Sequence, residues 1–401
     1  MLTVIARPLR LLHVTTVPES LLFLTGQPGY LRGRGFEVAA VSSPGPALER
    51  FERAEGVVVH RVPMARAITP GRDLVALVRL VLLMRRLRPD LVDAHTPKGG
   101  LLGMLAAWLA GVPVRVYHVH GLRFLTATGL ARRLLRTTER LAAALATRVL
   151  CVSRSVAELA VAEGVAPPEK VSVLLGGSIN GIDAAGRFRA PSPEQAAAAR
   201  AALGLPERAR VLGFVGRLVR EKGVVELWRA WTVLREELPD LRLVLVGPLE
   251  PQDPIPSEVV ASLAGDPRVL LAGQDWDTPR YFRAMDVLAL PSYREGFPVV
   301  PLEAAAMGLP VVSTRVPGCV DAVVDGVTGT LVPARDAAAL TGALRAYLAD
   351  PALRRRHGEA ARARVLRDFA QERLWSALHD AYVEQVARAG RAPLVPAGGQ
   401  G

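Results

Sequence analysis

Short apolar runs rich in Val, Ile and Leu recur along the chain, separated by longer segments in which apolar residues return every three or four positions. The first pattern marks strands and the second amphipathic helices. Runs at 11–16, 36–42, 57–62, 91–95, 114–119, 148–152 and 171–174 predict strands, and 74–87 and 130–146 predict helices between them. Strands that alternate with helices imply a parallel, doubly wound sheet. A stretch rich in Ala and Pro follows Gly181 and runs through Pro191, Pro193 and Pro206; the alternation then restarts at 210–216, 241–246, 269–272, 287–290 and 310–313. The expected organisation is α/β, with two similar domains at 1–183 and 184–370. A helix over 371–388 carries Trp375, Leu378 and Tyr382 on one side, and the Gly- and Pro-rich tail 389–401 is expected to be disordered.

Ligands of such sheets sit at the carboxyl ends of the strands, so the loops that follow each strand hold the candidate chemistry. With 401 residues, half of them hydrophobic, the chain can bury two cores. Cys151 and Cys319 stand far apart, which excludes a disulfide framework and a cysteine zinc site. The N-terminal residues lack the pattern of a secretory signal, and the apolar segment 74–87 is interrupted by Arg79 and too short to span a bilayer. The expected location is the cytoplasm.

The net charge of +12 is uneven: 24 basic residues face 13 acidic ones over 1–188, against 26 and 25 in the remainder. A basic first half attracts anionic lipid, nucleic acid or phosphorylated acceptors. No nucleic-acid-reading motif accompanies it, so an anionic membrane surface is the expected partner and nucleic acid is not. The segment 122–145 fits that surface, with Phe124, Leu125, Leu130, Leu134, Leu135 and Leu141 apolar and Arg123, Arg132, Arg133, Arg136 and Arg140 basic.

In the second half, the strand VLGFVG ends at Gly216, and Arg217, Glu221, Lys222 and Gly223 lead into a helical pattern. Two cations beside a helix N-terminus form a site for a diphosphate. Lys222 is one of three lysines, with Lys98 and Lys170, among 47 arginines. Further on, PSYREGFPVVPLEAAAMGLP places Glu295 in a loop after a strand and Glu303 eight positions later. The helix is expected to start near Val299, with Pro301 in its first turn, and to stop at Gly308. Glu295 then accepts hydrogen bonds from sugar hydroxyls, Glu303 reaches a ribose diol, Gly296 allows close backbone approach, and the amides around Phe297 and Pro298 to Val300 face a phosphate. The Asp275–Asp277 run reads as a turn and helix cap in preference to a metal site.

These segments resemble glycosyltransferase family 4: the Glu295 to Glu303 spacing is similar to its Glu-x7-Glu signature, and GRLVREKG resembles its donor-phosphate loop. Asp286 and Pro291–Ser292 before the pair, and PGCVDAVVDGVTGTLVP after it, match in order. The resemblance implies a retaining enzyme of GT-B fold, two Rossmann-like domains facing across a cleft, with the C-terminal helix crossing back to the first. It implies that Arg217 and Lys222 neutralise the departing diphosphate, that Glu303 holds the ribose, and that Glu295 contacts the transferred sugar. VRVYHVHGLRF puts His118 and His120 on one face of a strand, and the resemblance maps His120 onto the family's active-site histidine.

HTPKGGLLG, YHVHGLRF and LLGGSINGIDAAGRF together are similar to the branch that builds capsular and other lipid-linked polysaccharides, including N-acetylgalactosaminyltransferases acting on undecaprenyl-diphosphate-linked sugars. That implies a nucleotide sugar donor, UDP-linked by resemblance, a lipid-linked saccharide acceptor met by His95 and Lys98, and no metal or other cofactor. The first strand departs from the family, since TTVPESLLFLTGQPGYL replaces the common Gly-Gly loop. A sugar-nucleotide 2-epimerase of the same fold would consume donor without acceptor and needs acid/base carboxylates in the first domain, for which Asp93 and Glu139 are poor candidates. A non-catalytic relative would have no reason to keep Arg217, Lys222, Glu295 and Glu303 together.

Overall fold

The structure is a computed structural model that describes residues 7–390; most of the tail expected to be disordered lies outside the described residues. The chain divides into two compact units, one made of the residues up to Asn180 together with those from Glu372, the other of Gly181–Gln371.

The first unit holds β1 (Leu9–Val14), β2 (Phe36–Ser42), β3 (Val58–Arg61), β4 (Leu91–His95), β5 (Val114–Val119), β6 (Arg148–Cys151) and β7 (Val171–Ser172). They pair in parallel in the order β3-β2-β1-β4-β5-β6-β7. Helices cover both faces of a parallel sheet, which is why its strands read as nearly unbroken apolar runs. β1 ends two residues earlier than the sequence pattern suggests. Thr15 N–H still donates to Val41 O at 3.0 Å, while its hydroxyl turns to Val17 O and Ser42 Oγ. The glycines of HTPKGGLLG serve packing: a Cβ on Gly100 would lie 2.1 Å from the Tyr117 ring, so the helix Pro97–Leu109 can settle on the sheet only without one. The helix Gln371–Arg388 buries Leu374, Leu378, Tyr382 and Val386 in this unit. Trp375 Nε1 donates to Asn180 Oδ1 at 2.6 Å.

The second unit holds β8 (Arg210–Val215), β9 (Leu241–Val246), β10 (Val269–Gly273), β11 (Val287–Leu290), β12 (Val311–Thr314) and β13 (Gly329–Val332), parallel in the order β10-β9-β8-β11-β12-β13. The sequence pattern does not predict β13, whose run GTLV, flanked by Thr328 and Pro333, has only Leu331 and Val332 as large apolar residues. Trp231, Phe214 and Tyr347 fill the core. In each sheet the strand order reverses at one place, between β1 and β4 and between β8 and β11. A crevice opens at such a reversal, because the connections on either side run to opposite faces of the sheet.

Candidate active site

The loops after β8 and β11 meet at the reversal in the second sheet. Their approach depends on Gly223, which caps the helix Val224–Glu237 at φ +71°; a Cβ there would stand 2.0 Å from Pro291 O. The close approach brings Lys222 Nζ to 2.5 Å from Glu295 Oε1, and Ser292 Oγ donates to the same oxygen at 2.7 Å. Arg217 lies between two acids, with NH1 at 2.7 Å from Glu250 and NH2 at 2.8 Å from Glu221, and Arg294 holds the other Glu221 oxygen at 3.0 Å. Withdrawal from water lowers the Arg217 pKa, but Glu250 and Glu221 outweigh it and the net shift is upward. Burial likewise raises Glu221, and Arg294 and Arg217 bring it below the ordinary range.

Arg217 and Lys222, the two cations expected beside a helix N-terminus, are both ion-paired. Each is held by a carboxylate that an arriving diphosphate would have to share or displace. Gly216 closes β8 by donating its N–H to Val246 O at 2.8 Å. Pro298 caps the helix Val299–Ala306, whose first turn contains Pro301 and whose end is followed by Gly308 at φ +80°. Gly296 and Phe297 form the loop before it, with the Phe297 ring 5.5 Å from that of Phe369. Glu303 lies on the second turn with its carboxylate unpartnered among the described residues, and burial raises its pKa to about 7, against a small opposing effect of Arg187. The Asp275–Asp277 run is a turn: Asp275 accepts from the Asp277 amide at 2.8 Å and from Tyr281 Oη at 2.9 Å.

In the first unit a histidine cluster lies at the reversal between β1 and β4. Parallel register sets His13 beside Asp93 and His95 beside His118, and the period of two puts all four, with His120, on one face. His13 Nδ1 is 3.1 Å from His95 Nε2, and His95 Nδ1 is 3.0 Å from His120 Nε2. Asp93 Oδ2 accepts from Tyr382 Oη at 2.5 Å and faces His118 Nδ1 at 3.4 Å. Burial pushes the pKa down to about 4 for His13 and about 3 for His120, and well below 6.5 for His95. Burial raises Asp93, and the surrounding histidines, His95 foremost, bring it below the usual carboxylate range.

Two sequence expectations need correction here. His95 was expected to meet an acceptor, but it is 1% exposed and both its ring nitrogens are engaged by other histidines. Lys98 was expected to meet the acceptor, yet its Nζ lies 2.8 and 2.9 Å from the two oxygens of Asp73 and also bonds Ala67 O. His120, partly exposed at the strand end, remains open on Nδ1. The sequence reading missed His13 and Thr16, whose neighbours are set by register alone. Thr16 Oγ1 is 3.0 Å from Thr96 Oγ1, and Thr96 has φ +67° and ψ 156°, a conformation costly for a residue with a side chain. Among the described residues, His13, Asp93 and His95 are the group whose donor atoms lie close enough, within 4.8 Å, to hold a metal ion.

Two parallel sheets in separate units, with charged loops at the reversal of the second, define a glycosyltransferase of GT-B fold. The chain belongs to the glycosyl transferases group 1 family, whose model matches residues 195–364, while the glycosyl transferase 4-like domain matches 29–177. It is 31% identical to the capsular polysaccharide biosynthesis glycosyltransferase CapM of Staphylococcus aureus, over 93% of this chain and 96% of that one. It is 32% identical to a UDP-Gal:alpha-D-GlcNAc-diphosphoundecaprenol alpha-1,3-galactosyltransferase of Escherichia coli, over 64% of this chain and 65% of that one. Among solved structures, HepE of Anabaena in complex with UDP and glucose superposes with a TM-score of 0.78 at 21% identity, covering 94% of this chain and all of that one, a likeness of fold.

Proposed function

We propose that the chain transfers a hexose or N-acetylhexosamine from a UDP-sugar to a polyprenyl-diphosphate-linked saccharide in polysaccharide biosynthesis, with retention of configuration and without a metal. The observation that carries this reading is the meeting of Lys222, Glu295 and Ser292 at the reversal of the second sheet, with Arg217 in the same loop as Lys222 and Glu303 unpartnered among the described residues in the second turn of the helix that follows Glu295. Lys222 and Arg217 offset charge on the leaving diphosphate, aided by the amides at the N-terminus of Val299–Ala306. Glu303 accepts from the ribose hydroxyls. As diphosphate draws Lys222 away, Glu295 turns its freed oxygen to the transferred sugar, and the leaving phosphate takes the acceptor's proton on the same face. In the first unit, the family resemblance gives His120 the role of a sugar contact. The CapM and galactosyltransferase relatives support the acceptor class, and the UDP complex of HepE supports the donor.

The first unit supports membrane-surface binding. The helix Pro70–Leu87 exposes Leu74, Val75, Val78 and Leu82 beside Arg79, Arg85 and Arg86, and Gly129–Leu145 exposes Leu130, Leu134 and Leu141 among its arginines. Phe124, expected to belong to this surface, is instead buried. No helix among the described residues is long and apolar enough to cross a membrane. Apolar side chains ringed by arginine suit an anionic headgroup layer on the inner face of the plasma membrane.

The test is UDP release by purified protein in EDTA, across UDP-hexoses and UDP-N-acetylhexosamines, with and without undecaprenyl-diphosphate-linked saccharides. Acceptor-dependent, EDTA-insensitive release with a retained anomeric linkage is expected. Donor conversion without acceptor would replace the reading with a 2-epimerase, and nucleotide binding without turnover would leave a binding protein.

A further inference from the structure

We infer that His95 is a positioning residue for sugar recognition: held between His13 and His120, it fixes the His120 ring with Nδ1 turned outward as a hydrogen-bond acceptor for a hydroxyl of the bound sugar. The inference rests on the reading of His120 as a sugar contact and adds what determines its orientation and tautomer. Three imidazoles in series share a direction. A neutral ring donates from one nitrogen and accepts at the other, so the hydrogen position on His95 dictates those on both neighbours. His120 Nε2 is committed inward to His95 Nδ1 at 3.0 Å, and its Nδ1 has no partner among the described residues.

Asp93 decides the sense of the chain. Its Oδ2 lies 3.6 Å from His95 Nε2, and its Oδ1 is buried with no hydrogen-bond partner. A carboxylate so placed favours a hydrogen on His95 Nε2 over a lone pair. That hydrogen is donated to His13 Nδ1 at 3.1 Å, which leaves His95 Nδ1 as the acceptor of His120 Nε2–H. The opposite sense would set two lone pairs against each other at Asp93. The chosen sense leaves a buried N–H on His13 Nε2 without a partner among the described residues, a cost that the contact of His95 Nε2–H with the Asp93 carboxylate offsets. Tyr382, from the C-terminal helix, completes the base of the network by donating to Asp93 at 2.5 Å. His13, Asp93 and His95 have the spacing of a metal site. Both ring nitrogens of His95, however, already lie at hydrogen-bond distance from another imidazole, an arrangement that closes without an ion.

The experiment is nitrogen-15 spectroscopy of histidine-labelled full-length protein, with kinetics of His95→Phe and His95→Gln. In the wild type, His120 is expected as the Nε2–H tautomer with a slowly exchanging ring proton, assigned by its loss in His120→Asn. In His95→Phe that proton should exchange freely, and kcat should fall on the order of 10-fold with donor KM within about 2-fold. His95→Gln can still accept from His120 through its amide oxygen and should recover most of the loss. An Nδ1–H tautomer in the wild type, or a His120 signal unmoved in folded His95→Phe, overturns the inference. So does one zinc per purified chain that is lost in His13→Ala. The spectra read the relay in protein that turns over no substrate, so failure of the proposed reaction and failure of the relay are separable.

Discussion

Replacing Lys222 by Met tests whether the pair with Glu295 joins the two loops of the second unit. The two groups lie 2.5 Å apart with side-chain exposures of 18% and 11%, between the surface and the fully buried limits. Exposed pairs contribute about 0–1 kcal/mol, whereas removing one partner of a buried pair costs about 3–5 kcal/mol because the other charge stays uncompensated. Among the described residues, Ser292 alone would be left to satisfy Glu295. A loss of about 2–3 kcal/mol is expected for Lys222→Met, a fall of roughly 5–10 °C in the melting transition for a unit of this size. Glu295→Gln should cost about 1–2 kcal/mol, since an amide can still accept from Lys222. The double variant removes both charges, so its loss should fall short of the sum by about 1–2 kcal/mol. Thermal melts followed by tryptophan fluorescence measure all four proteins. Strict additivity would refute the coupling and reduce the contact to a surface pair. Turnover should be lost in both single variants whatever the stability outcome.

Gly223→Ala should destabilise by about 2–4 kcal/mol, from about 1–2 for a left-handed residue and the remainder from the 2.0 Å approach to Pro291 O, and should weaken nucleotide binding in calorimetry. With its pKa raised to about 7 by burial, Glu303 is ionised increasingly as pH rises through that value. Donor KM should therefore fall between pH 6 and 8 in the wild type and stay flat in Glu303→Gln. Glu139, 2% exposed and bonded to Tyr117, is likewise raised to about 7 by burial, so the folded state holds its proton more tightly than the unfolded one. Its contribution to stability is full below about pH 4.5 and is lost as pH approaches 7, on the order of 3 kcal/mol. The wild type should lose stability relative to Glu139→Gln over that interval, and parallel pH profiles would refute the assignment.

The alternation of short apolar runs with helical periods specified two parallel sheets and the strand ends where chemistry collects, because strands buried on both faces must be apolar throughout. The spacing of Glu295 and Glu303 and the rare Lys222 beside Gly223 were likewise readable, since each is local: a strand end, a left-handed cap, a helix start. What each charge faces was not local. Lys222 and Glu295 are separated by 73 positions and meet because β8 lies next to β11, an order fixed by how the helices pack. Lys98 looked like an acceptor contact, and nothing in HTPKGG announces its pairing with Asp73 on a neighbouring helix. His95 looked like an acceptor contact for the same reason: only strand register brings His13 and His120 to its two nitrogens, and only packing of the C-terminal helix brings Tyr382 to Asp93. A sequence determines which groups are present and which way a strand turns them. Pairing between segments far apart in the chain is decided by packing of the whole unit, and that packing converted apparent ligands into supporting structure.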